Sequence, residues 1–214
     1  KKKMSKDQRS FARLVILGNK GAGKTTLLKK YIGKDKVTDY ETKDQRIEVG
    51  EEGNQKVVRY TLNLVDTAGM EENNALPQSF FRGVDILIGM ISSSDTEKSI
   101  EIFKEWLPKF DKLDQCGIVL VYNHKEKWSP IAKMTLEKLQ KIVGDNTKSE
   151  QSIVHICLDG QVNTEDIEGE AIPFQRGCEM HWKHNEGTEE NPFLHNTLDL
   201  KIEEQQSKTT CCGK

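Results

Sequence analysis

Leu14-Val15-Ile16-Leu17-Gly18-Asn19-Lys20-Gly21-Ala22-Gly23-Lys24-Thr25-Thr26 runs from an apolar segment through a glycine-rich turn into a helical pattern. It fits the phosphate-binding loop pattern G-x-x-x-x-G-K-[ST] in full. Gly18, Gly21 and Gly23 let the backbone curl tightly enough for successive N–H groups, from Gly21 to Thr26, to face one hollow, and the helix start adds its positive end. Asn19, Lys20 and Ala22 complete the loop, Lys24 can reach terminal phosphates, and the Thr25 hydroxyl suits a divalent cation. The bland alternative is a glycine-rich surface turn. Context weighs against it, because a strand-like apolar run precedes the loop and Leu27, Leu28, Tyr31 and Ile32 follow at helical spacing.

Working outward, 214 residues suffice for one sizeable α/β domain with a tail and are short for two independent cores. A net charge of -2, with 31% charged and 7% aromatic residues, argues against a nucleic-acid binder. No apolar stretch approaches the roughly 18 residues that span a bilayer, and no secretory segment follows the N-terminus, so a cytosolic chain is expected. Cys116, Cys157 and Cys178 sit in apolar or mixed surroundings without a C-x-x-C pair and read as reduced thiols.

Gly33 to Gln45 is polar and aperiodic and reads as a loop passing over the ligand. Arg46 to Val49 and Val57 to Val65 predict a hairpin whose second strand runs into Asp66-Thr67-Ala68-Gly69. A carboxylate at the end of such a strand can hold Mg²⁺. Asp85 to Ile91, Gly117 to Tyr122 and Ile153 to Leu158 predict strands; Thr96 to Lys109 and the segment opened by Ser129-Pro130 predict helices, as does the spacing of Phe174, Cys178, His181 and Trp182. This alternation favours a mostly parallel sheet with helices on both faces and ligands at the carboxyl ends of the strands. The expected organisation is an extension over 1–10, a domain over 11–184 and a polar, acidic tail over 185–214.

Taken together, the loop Gly18 to Thr25, the Asp66-Thr67-Ala68-Gly69 turn, Ser79-Phe80-Phe81-Arg82-Gly83-Val84-Asp85 and the Cys211-Cys212 end resemble small GTPases of the Ras superfamily, most closely the Rab branch. The resemblance implies a single P-loop NTPase domain with a six-stranded sheet, GTP or GDP as bound nucleotide, Mg²⁺ and two loops held by the γ-phosphate. It places those loops at 36–46 and 69–81, with Gly69 sensing the γ-phosphate and Thr42 as second hydroxyl to Mg²⁺; a gapless alignment puts Lys43 there instead, an ammonium that cannot ligate a hard cation. It further implies effector, exchange-factor and activating partners, a monomer, and a place on the cytosolic face of internal membranes with a cytosolic pool.

The chain departs from that family in several places. Met70 stands where a glutamine orients the attacking water, and a thioether cannot do so, which implies slow hydrolysis or, as the alternative, a nucleotide-binding scaffold that turns nothing over. The guanine-selecting Asn-Lys-x-Asp appears as Asn123-His124-Lys125-Glu126, with the carboxylate one methylene further out. Leu158 stands where a backbone N–H reaches the base, and Val37 is nearest to the missing aromatic. An ATP-using small-molecule kinase shares the loop but leaves the Asp66 turn and the cysteine end unexplained. Cys211 and Cys212 are similar to twin cysteines that carry two geranylgeranyl groups, and two chains matter because one binds membranes only marginally. Cys178, His181 and His184 fan over more than one helix face and do not predict a metal site.

Overall fold

The central strand is buried on both sides over Leu14 to Leu17, and the rest of the sheet is laid out from it. The computed structural model describes residues 8–50, 55–67, 76–92, 96–124, 130–158 and 168–185. In chain order the elements are β1 (Gln8–Leu17), α1 (Lys24–Ile32), β2 (Tyr40–Val49), β3 (Lys56–Asp66), β4 (Ile86–Ser92), α2 (Thr96–Trp106), β5 (Gly117–Asn123), α3 (Pro130–Asn146), β6 (Gln151–Ile156) and α4 (Ile172–Asn185). The six strands lie in the order β2-β3-β1-β4-β5-β6. Only β2 is antiparallel to its neighbour, so the sheet is mostly parallel as expected. Chain direction along the sheet reverses beside β1, which puts the loop after β1 at the switch point where α/β sheets bind ligands.

Two apolar clusters cover the two faces. On one, Leu27, Leu28 and Tyr31 of α1 and Phe174 and Cys178 of α4 meet Leu14, Ile16, Leu62 and Leu64. Tyr31 stacks on Phe174 with centroids 3.6 Å apart and planes within 5°, locking α1 to α4. On the other, Phe103 and Trp106 of α2 and Leu139 and Val143 of α3 meet Val15, Leu17, Leu87 and Leu120. Phe81 stacks on Trp106 at 5.1 Å and meets Phe110 edge-on at 5.2 Å. Trp106 and Trp182 thus pack against the core, as their spacing suggests.

Two expectations are corrected. Residues 40–45, read as loop, form half of β2. This is an edge strand whose inner side carries long amphipathic side chains instead of apolar ones: Lys43 lies over the Tyr31 ring at 4.2 Å, and the Tyr31 hydroxyl donates to Gln45 Oε1 at 2.8 Å. The first strand also begins at Gln8, inside the expected extension. The thiols behave as read: Cys116, Cys157 and Cys178 are free, and burial pushes Cys116 up to about 12, far from a reactive thiolate.

At the sheet's opposite edge from the loop, Tyr60, His181 and Asp85 form a polar cluster within the packing. The Tyr60 hydroxyl and His181 Nδ1 are 3.1 Å apart, and His181 Nε2 stands 3.9 Å from Asp85 Oδ1, beyond hydrogen-bond reach. Burial pushes Asp85 up to about 6, although the Arg13 amide and the Lys112 and Arg13 charges oppose it, with Asp111 adding to the rise. Burial and the charge of His184 push His181 down to about 4.

The raised Asp85 favours folding at low pH and loses that contribution as pH rises from about 4 toward 6. The depressed His181 does the reverse, contributing stability above about 6.5 that is lost as pH falls toward 4. In that window the folded pair and the unfolded pair each hold one proton, so the two slopes cancel. Asp85→Asn should therefore expose a stability that climbs with pH by up to about 1.4 kcal/mol per unit, and His181→Gln one that falls, both read from urea melts between about pH 4 and 6.5. A parent as steep as either variant would contradict this pairing.

Candidate functional site

The loop between β1 and α1 is shaped by glycines and held by distant residues. Gly18 lies so close to the Met90 carbonyl that a β-carbon would overlap its oxygen. Gly23 has φ +101°, and a β-carbon there would stand 2.7 Å from Leu158 Cδ1 and 2.8 Å from Asn123 Nδ2. Asn123, at the end of β5, donates from Nδ2 to the Ala22 carbonyl at 3.0 Å, and its Oδ1 accepts the Leu158 N–H at 3.3 Å. One carboxamide therefore ties the loop to the turn after β6. From the other face, Ser99 of α2 donates its hydroxyl to Asn19 Oδ1 at 3.0 Å, both residues being fully buried. No local signal could reveal this bond, because its partners are 80 residues apart.

Lys24 is 4% exposed, and its ammonium donates to the carbonyls of Gly18 at 2.6 Å and Asn19 at 3.1 Å, so it is drawn across the loop's own rim. Thr25 donates its hydroxyl to Asp66 Oδ2 at 2.6 Å. A hydroxyl on the residue after Lys24 and a carboxylate oxygen so juxtaposed form a hard oxygen donor pair suited to Mg²⁺ and not to a soft metal. Thr67, the next residue, donates to the Ile16 carbonyl at 2.7 Å and clamps the end of β3 against β1, which fixes where the carboxylate stands. Lys20, Gly21 and Thr26 are exposed around the hollow.

Other expected members are not brought there. Thr42 lies within β2 opposite Asn63, to whose Oδ1 its hydroxyl donates at 3.3 Å. Asn63 is three residues from Asp66, about 10 Å along the strand and on the other sheet face by the two-residue alternation. The second-hydroxyl assignment of Thr42 is thereby corrected. Lys43 does not fit either, since its ammonium donates to the Tyr31 carbonyl. The residue beside Asp66 is Asp39, immediately before β2, whose carbonyl accepts the Asp66 N–H at 3.0 Å.

The Leu158 N–H, expected to face a base, is engaged by Asn123 instead. Val37 packs against the α1 side of the core. His124 is 2% exposed, its ring 4.7 Å from Tyr122, with its Nε2 3.1 Å from His155 Nδ1. Gly69, Met70, Glu126, Cys211 and Cys212 lie outside the described residues. Among the described residues no cluster of three or more His, Cys, Asp or Glu side chains could hold a metal ion, and Cys178, His181 and His184 form none.

Ser99→Ala would leave Asn19 Oδ1 buried without its donor and should cost about 1–3 kcal/mol in a denaturant melt. Combining it with Asn19→Ala should cost clearly less than the sum of the two single changes. Strict additivity would show that the bond does not hold the loop.

The family described as "Ras of Complex, Roc, domain of DAPkinase" matches residues 13–126, more than half of the chain, from the middle of β1 to just past Asn123. The chain is similar to the Ras-related protein RABG3f of Arabidopsis thaliana, 26% identical over 219 residues that cover 97% of this chain and 99% of that one. It is also similar to the Ypt/Rab-type GTPase ypt71 of Schizosaccharomyces pombe, 28% identical over 174 residues and covering 75% and 78% of the two chains. The Ras-related protein Rab7 of Cenchrus ciliaris is 29% identical over 112 residues, half of this chain. With the phosphate loop, the Thr25–Asp66 pair and the sheet order in place, this chain belongs to the Ras superfamily of small GTPases as a Rab-like member.

Proposed function

We propose that the chain is a membrane-anchored guanine-nucleotide switch of vesicle trafficking that hydrolyses GTP slowly without help. The observation that carries the reading is the Thr25 hydroxyl 2.6 Å from the Asp66 carboxylate, with Lys24 buried in the loop immediately before it. Thr25 and Asp66 would hold Mg²⁺, directly or through water, and the ion would supply neutralisation of phosphate charge. Lys24 gives up its contacts with the Gly18 and Asn19 carbonyls and takes phosphate oxygens, while the Gly21 to Thr26 amides accept the rest of the negative charge. Asn123 holds the loop through its bond to the Ala22 carbonyl.

Base selection is assigned to Asn123 and Glu126, and γ-phosphate sensing to the Gly69 backbone. Slow hydrolysis rests on Met70, which offers no donor to align water. Activating proteins then supply what Met70 lacks, with exchange factors and effectors as further partners of a monomer. Tyr40, 61% exposed at the start of β2 and 6.2 Å from the Phe80 ring, gives such partners an aromatic anchor beside the loop. Cys211 and Cys212 would carry two geranylgeranyl groups, setting the protein on the cytosolic face of internal membranes with a cytosolic pool. Among the described residues no helix is long and apolar enough to cross a membrane, which is compatible with lipid anchoring.

The second reading, a scaffold that binds nucleotide without turning it over, is favoured by the same Met70 and by the engaged Leu158 N–H. Single-turnover phosphate release separates the two. A slow GTPase should gain about tenfold or more on Met70→Gln, whereas a scaffold stays at zero in both forms.

Lys24→Ala should weaken GTP and GDP binding on the order of 100-fold, as measured by displacement of a fluorescent guanine nucleotide. Asp66→Ala should leave affinity in EDTA unchanged while abolishing the increment that Mg²⁺ gives the parent. Equal Mg²⁺ increments in parent and variant would remove Asp66 from the metal site.

A further inference from the structure

On the face away from α1 and α4, the helices α2 and α3 leave a groove of about 280 Å³ between them. Ile100 of α2 and Ile142 of α3 form its half-buried floor, Lys104 stands on one wall, Lys138 and Lys141 on the other, and Asp145 at one end. These walls are exposed, and so is Met134, one turn above Lys138 on the same stripe of α3 and 57% accessible. None of the three lysines takes part in the nucleotide site. We propose that this groove docks an acidic amphipathic helix of a partner protein.

The argument is one of matching shapes and signs. Both α2 and α3 follow parallel strands, so they run side by side in the same direction from the phosphate-loop edge toward the opposite one. A third helix seats in such a channel with an apolar seam at i, i+3, i+4 and i+7, here over Met134, Ile100 and Ile142. Carboxylates flanking that seam on both sides meet Lys104 on the α2 wall and Lys138 and Lys141 on the α3 wall. Asp145 closes the end farthest from the phosphate loop and favours the positive N-terminus of the incoming helix, which therefore runs antiparallel to α2 and α3. A bilayer fits less well. It cannot follow a concave floor set between two walls.

The test uses the full chain and a labelled amphipathic peptide of about five turns, with a leucine seam flanked by glutamates, against a control with lysines in place of the glutamates. The parent should raise the anisotropy of the glutamate peptide and not of the control. Lys104→Glu, Lys138→Glu and Lys141→Glu together should weaken that binding at least about tenfold and create affinity for the lysine peptide, while guanine-nucleotide binding stays at the parent level. Equal binding of both peptides by the parent, or an unchanged glutamate-peptide affinity in the triple variant, would overturn the proposal. So would glutamate-peptide binding that appears only after the six carboxylates of residues 186–204 are neutralised, which assigns the groove to the chain's own acidic segment. Lysine-dependent binding to phosphatidylserine vesicles without peptide binding would assign it to membrane and also overturn the proposal.

Discussion

The carboxamide of Asn123 is the constraint on which the site depends. A glycine-rich turn has no preferred shape of its own, and the positive φ of Gly23 is costly for any other residue and merely one of many states for glycine. Asn123 selects one state by donating to the Ala22 carbonyl while accepting from the Leu158 N–H, with both bonds inside the packed edge of the sheet. In such surroundings an amide that lost one partner would pay the full penalty of an unsatisfied polar group, so the loop, the end of β5 and the turn after β6 move as one body. The bond from Ser99 to Asn19 repeats this restraint from the opposite face.

The position of Asp66 is set in a different way, by strand register. Pairing of β1 with β3 runs unbroken from Gln8 opposite Val58 to Ile16 opposite Asp66, and the Thr67 hydroxyl closes it on the Ile16 carbonyl. Slipping that register by one residue would turn every side chain of β3 to the other face and carry the carboxylate away from Thr25. The apolar content of β3 on both faces, Leu62 and Leu64 on one and Val65 on the other, makes such a slip expensive. The hydroxyl–carboxylate pair is therefore a consequence of core packing many residues away.

What could be read in the sequence follows from how local each feature is. The phosphate loop announces itself because glycines, lysine and threonine at fixed spacing are needed within one turn, and the buried strands announce themselves because both their faces are apolar. The strand β2 was illegible over residues 40–45, since an edge strand needs no apolar face when Lys43 and Gln45 can lay their stems and amides on Tyr31. Reading that stretch as loop then allowed Thr42 to be placed at the metal. Once residues 40–45 are strand, alternation sends its hydroxyl to Asn63 on the far face. The Asn19–Ser99 bond and the capture of the Leu158 N–H join segments far apart in the chain and leave no trace in spacing.

The departures from the family pattern are unevenly distributed, and their distribution has a physical meaning. The residues proposed to grip phosphate keep the family pattern: the glycine turn, the buried Lys24 and Asp66, and the half-buried Thr25. What has changed is the machinery that tests the base and directs water, at Leu158, Glu126 and Met70. Binding of a polyphosphate by main-chain amides and an ammonium draws on charge and so is large and insensitive to the base. Discrimination among bases draws on a few directional hydrogen bonds, chiefly to one carboxylate, whose geometry a single methylene disturbs. On the proposed reading, a chain altered in this way would keep the energy of holding nucleotide while giving up part of its selectivity and most of its unaided turnover. On that reading its state would be set by the proteins that load it and discharge it more than by its own clock.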